Sequence, residues 1–142
     1  MASDIAFSAI RAYLAANWSG CPLSWENETF TPPSLVEAPG APANWAAVTI
    51  TGTIYDQASI GTGASPGERW IEEGAIMIDC FVQSGTGSLV ARQTATALAN
   101  LLRGQILTGA IRMQNMSIGD GAAGLDNGDW WGLTLRIDWL RG

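Results

Sequence analysis

The segment Leu23-Ser24-Trp25-Glu26-Asn27-Glu28-Thr29-Phe30-Thr31-Pro32-Pro33 constrains this chain more than any other. Two consecutive prolines fix φ and remove two backbone donors, so neither a helix nor a central strand can run through them. Two aromatics, Trp25 and Phe30, bracket Asn27 and its acidic neighbours Glu26 and Glu28. The pattern predicts a short strand leading into a rigid, extended exit.

On either side the periodicity is clearer. Ser3 is placed to cap a helix running to about Asn17, with Ala6, Phe7, Ile10, Tyr13 and Leu14 on one face and Asp4, Ser8 and Arg11 opposite. Trp45 to Tyr55 alternates, with Val48, Ile50 and Ile54 on one side and Thr49, Thr51, Thr53 and Tyr55 on the other. Glu68 to Gln83 reads as its hairpin partner: Ile76, Ile78, Cys80 and Val82 face inward, Arg69, Glu73 and Asp79 outward. Ser84 to Ser88 turns the chain into a second helix with Ala91, Thr94, Ala95, Leu98, Leu101 and Leu102 on one stripe, Arg92, Thr96 and Arg103 on the outer face, and Gly104 as its stop. In Ala110 to Ile118, Ile111 and Met113 keep one phase and Met116 and Ile118 the other, which predicts a bulge at Gln114 and Asn115. Trp130 to Leu140 closes the chain with Trp131, Leu133, Leu135, Ile137 and Trp139 inward and Thr134, Arg136 and Asp138 outward.

The expected fold is therefore α+β: an antiparallel (mixed) sheet of four to five strands, two helices packed on one face, and a long hairpin loop, all in one domain spanning residues 1–142. The hairpin loop, Asp56 to Gly67, is longer than a tight turn needs and should project. Ser34 to Asn44, rich in Pro, Ala and Gly, reads as a surface loop.

Composition then removes whole classes of function. A 47% hydrophobic chain with 14% charged residues can build a core. Its net charge is −6, and its basic residues are all Arg and unclustered, so no phosphate-gripping surface is expected. With no His and no Lys, serine has no ordinary activating base, which argues against hydrolase chemistry. Cys21 and Cys80 lack metal or redox spacing and read as reduced, buried thiols rather than a bridge. No basic leader precedes Asp4 and no apolar run spans a membrane, so assembly in the cytoplasm is expected.

Three constellations have ordinary explanations. Gly85-Thr86-Gly87 resembles a dinucleotide turn, but Val90 fills the third small position and the following strand is antiparallel; a helix-opening turn accounts for it. Asp120, Asp126, Asn127 and Asp129 offer oxygens to a hard cation without the calcium-loop spacing, and turn chemistry explains them. Glu72 and Glu73, adjacent in a strand, face opposite sides and read as solvated positions. Seven Trp residues are an excess for so small a chain; core packing is the first explanation for any one of them, with Trp131 and Trp139 on the inward stripe, while Trp18, Trp25, Trp45, Trp70 and Trp130 fall at element ends, where some could anchor a subunit interface.

The order of parts is an amphipathic helix, Trp-Glu-Asn-Glu to Pro-Pro, two long strands, a Gly-Thr-Gly turn into an Ala/Leu helix, and two closing strands. It resembles the tail terminator proteins of long-tailed bacteriophages and of gene transfer agents. The resemblance implies a structural virion protein of the tail neck: a hexameric ring that caps the tail tube and joins it to the head or connector. Its partners would be other copies of itself, the tail tube protein and a head-completion protein, with DNA passing through unbound, no cofactor and no metal. Candidate ring contacts are Arg92, Arg103 and Arg136, the acids Glu72, Glu73 and Asp79, and Ile60, Gly61, Thr62 and Gly63 at the tip of the hairpin loop. Another neck or tail-tube component remains open, as does a small monomeric ligand- or metal-binding domain.

Overall fold

Strand alternation and helical stripes meet in one hydrophobic cluster between a curled sheet and two helices. The computed structural model describes residues 3–33, 43–57, 70–119, 125–127 and 129–142. Seven strands and two helices follow in the order α1 (Asp4–Asn17), β1 (Leu23–Trp25), β2 (Asn44–Gln57), β3 (Trp70–Gln83), α2 (Leu89–Leu102), β4 (Ile106–Leu107), β5 (Ile111–Ile118), β6 (Leu125–Asn127) and β7 (Trp130–Arg141). In space the strands run β1-β2-β3-β7-β5-β4, with β6 paired to β7 beside this path. The expectation of four to five strands is corrected by β4 and β6, each too short to leave a period in the sequence. The sheet is mixed because β1 lies parallel to β2, Leu23 opposite Ala46 and Trp25 opposite Val48.

Both helices start and stop where their residues dictate. The Ser3 hydroxyl accepts the Ala6 N–H at 3.2 Å and caps α1, which buries Ala6, Ile10 and Leu14. Gly104, with φ at +72°, takes the left-handed position just beyond α2, which buries Ala91, Ala95, Leu98, Ala99 and Leu102. The helices touch where the Tyr13 hydroxyl donates to the Leu101 carbonyl at 2.9 Å.

The long β2–β3 hairpin forms as expected. Ile76, Ile78, Cys80 and Val82 of β3 lie opposite Ile137, Leu135, Leu133 and Trp131 of β7, and these form the face under the helices. The bulge expected at Gln114 and Asn115 is present: the register with β7 shifts between Met113 and Met116, returning Met116 to the helix face opposite Ile137. A second bulge, between Gly52 and Ile54, was not anticipated. There the backbone register with β3 moves from Gly52 opposite Gly74 to Ile54 opposite Glu73.

The face away from the helices is not only threonines and charges. Trp45 stacks on Phe81 at 4.5 Å, and meets Phe30 at 5.0 Å and the edge of Trp130 at 6.0 Å. Gly132 lies opposite Phe81 in the ladder, and a Cβ there would come within 2.7 Å of the Phe81 ring. The stack therefore depends on that glycine.

Candidate assembly surfaces

The proline-bounded segment turns out to close one end of the sheet. Trp25 receives the edge of Phe7 at 6.3 Å and the Arg11 guanidinium over its ring at 4.6 Å. Arg11 also pairs with Glu28, and the Glu26 carboxylate accepts the N–H of Ile50, just past the reach of β1. Asn27 takes the left-handed conformation, φ 53°, that lets these neighbours point apart. Trp18 likewise finds an internal partner, its indole N–H donating to the Cys21 carbonyl at 2.9 Å. Trp18, Trp25, Trp45 and Trp130 thus all have contacts within the chain. The side chain of Trp70 lies outside the described residues.

Of the acids expected on the surface, Glu72 needs correction. It is 1% exposed, and its carboxylate accepts the Ser3 N–H at 2.5 Å, the Ser3 hydroxyl at 2.7 Å and an Arg141 guanidinium N–H at 3.3 Å. One buried carboxylate thus holds the cap of α1 to the last residues of β7, so it presents nothing to a neighbour. Strand parity already put Glu72 on the side of Ile76 and Ile78; its charge alone argued for solvent. Asp79 does lie on the open face, but its carboxylate is engaged by the Thr134 hydroxyl at 2.6 Å.

Glu73 lines a small polar hollow of about 190 Å³ with Thr53, Gln114, Arg136 and Asp138. Arg136 is exposed there and pairs with Asp138 at 2.9 Å. Arg92 and Arg103 stand exposed along α2, far from Glu73, since α2 covers the opposite face of the sheet. Arg92 and Arg103 thus lie across the sheet from Glu73 and Asp79, whereas Arg136 shares the hollow with Glu73. Ile60, Gly61, Thr62 and Gly63 lie outside the described residues, as do most of the Ser34 to Asn44 loop and Asp120. Asp126 and Asn127 belong to β6, pairing with Trp131 and Trp130. Among the described residues no group of three His, Cys, Asp or Glu is placed to hold a metal ion, and no helix is long and apolar enough to cross a membrane.

A surface that sequence reading missed lies beside α1. Ile5, Ala9, Ala12 and Tyr13 on one side and Ile106 to Gly109 on the other enclose an open groove of about 710 Å³. Its signal was present in the helical wheel, where Ile5 falls off the Ala6-Ile10-Leu14 stripe and so cannot reach the core.

Both cysteines are free thiols. Burial pushes Cys80 up to about 12, with nearby Cys21 and Asp79 adding to the effect, and pushes Cys21 up to about 11 despite a backbone hydrogen bond. The ordinary value is 9.0, so above it the unfolded chain sheds thiol protons that the folded chain keeps. Stability from these groups is complete below the ordinary value and falls as pH rises toward about 11 and 12. The urea midpoint should drop between about pH 8 and pH 10.5, and drop less in the Cys80→Ala variant.

Among the described residues the chain is an α+β module, a mixed sheet with two helices on one face. Over residues 6–139 the sequence matches the family model described as "Phage tail terminator protein", and the chain belongs to that family of tail structural proteins. A solved structure that carries no functional name shares the fold at TM-score 0.62 and 20% identity, covering 98% of this chain and 94% of that one. Among curated proteins none matches the sequence.

Proposed function

We propose that the chain assembles as a closed hexameric ring on the last ring of the tail tube, halts tube growth and offers the head side a surface to join. The observation that carries this reading is the family match across nearly the whole chain. Closure about an axis requires two different, complementary patches on each subunit, and the α2 face and the α1–β4 groove are distinct surfaces of that kind. The partners are the tail tube protein on one side and a head-completion or connector protein on the other. A net charge of −6 suits a conduit through which DNA slides without being held.

Native mass by light scattering across a concentration series, with and without tail tubes, tests the reading. A discrete closed oligomer, in solution or on tube ends, is expected, together with tubes that stop lengthening when the protein is added. Open-ended polymers would identify a tube component instead. A strict monomer indifferent to tubes would sink the structural reading.

A further inference from the structure

Four large apolar side chains stand exposed among the described residues, and they fall into two separate pairs. Ile5, 46% exposed, and Ile106, 66% exposed, flank the groove between α1 and β4. Leu89, 67% exposed, opens α2, and Ile118, 38% exposed, ends β5. Arg92 links the second pair: one turn after Leu89, its guanidinium reaches to 4.0 Å from where a Cβ on Gly119 would sit, next to Ile118. Single exposed apolar residues are ordinary, but a recessed pair and a projecting pair are not.

Their charges are opposite. The groove lining includes the carboxylate of Asp4 and no cationic side chain. The projecting pair carries Arg92, whose guanidinium donates to the Ser88 hydroxyl at 3.3 Å, and the positive end of the α2 dipole, where Ser88 makes no side-chain cap bond. One copy cannot fill its own groove. α2 meets α1 near Leu101, and a helical rise of 1.5 Å per residue puts Leu89 about 18 Å from that contact.

We infer that the α1–β4 groove of one copy receives the Leu89–Arg92 turn and Ile118 of the next, an inference that rests on the ring reading above. Leu89 enters between Ile5 and Ile106 over the small floor of Ala9 and Ala12, and Arg92 meets Asp4. The contact is heterologous, so repetition about an axis closes a ring, and every copy uses both surfaces once.

Ile106→Glu disables the groove and Leu89→Glu the projecting turn; both positions are exposed, and melting curves confirm that the variants fold. Each variant alone should run as a monomer where the natural sequence forms the closed oligomer. An equimolar mixture should give a dimer and nothing larger, because it contains one intact groove facing one intact turn. Arg92→Asp should weaken the ring, and Asp4→Arg in the same chain should restore it. Wild-type rings from either apolar variant alone would overturn this docking and leave the ring reading standing. Rings of normal mass that no longer cap tubes in Ile106→Glu would also overturn it, assigning the groove to the tube protein. If the natural sequence forms no closed oligomer alone or on tubes, the ring reading falls first.

Discussion

Gly74→Ala should lower the unfolding free energy by about 3 kcal/mol or more and the melting temperature by roughly 10 °C. A Cβ at this position would lie 1.9 Å from the Thr51 carbonyl oxygen and 2.6 Å from the Trp139 ring. The cause is the bulge at Gly52, which draws the β2 backbone over Gly74 while fully buried Trp139 packs from the opposite strand. Trimming Trp139 cannot rescue the variant, because the nearer obstacle is a main-chain oxygen. Differential scanning calorimetry of Gly74→Ala beside Gly85→Ala separates this from ordinary loss of a glycine. Gly85 has a positive φ but nothing within 4 Å of its added Cβ, so only conformational strain is felt there. Equal losses at the two sites would refute the steric account.

Glu72→Ala should cost about 3 kcal/mol, since it deletes the shared acceptor of two Ser3 donors and leaves Arg141 facing a vacated, buried site. Glu72→Gln should recover part of this, because an amide still accepts a hydrogen bond but no longer balances the guanidinium. Glu73→Ala, one residue along and on the open face, should change stability by no more than about 0.5 kcal/mol. Urea unfolding of the three variants provides the ranking; a Glu73 effect as large as that of Glu72 would mean that the buried carboxylate has no special part in holding the fold.

The elements that sequence reading identified are those whose signal is local. The Ser3 cap, the stripes of both helices, the Gly104 stop and the phase change at Gln114 and Asn115 each depend on residues a few positions apart. What it missed depends on distance in the chain. Pairing direction of β1 and the bulge at Gly52 are set by partners far along the chain, Leu23 meeting Ala46 and Gly52 meeting Gly74; β4 differs, its partners Ile111 and Arg112 lying close by, and it went unseen because two residues show no period. Glu72 shows how a rule of thumb can outweigh a correct pattern: parity placed it inside, and only knowledge of Ser3 and Arg141 explains why a charge can stay there. Only one wall of the groove was legible, since Ile5 falls off the buried stripe of α1 but becomes a neighbour of Ile106 only once α1 is laid beside the edge strand.

The Glu72 clamp also governs how this molecule comes apart. The ends of helices and strands normally fray one at a time, at little cost. In this protein, peeling the first turn of α1 away strips the buried carboxylate of two donors, and lifting the end of β7 strips it of the third. Either event strands a charge in the interior and so loosens what holds the other end. The first turn of α1 and the end of β7 therefore open as a single cooperative unit.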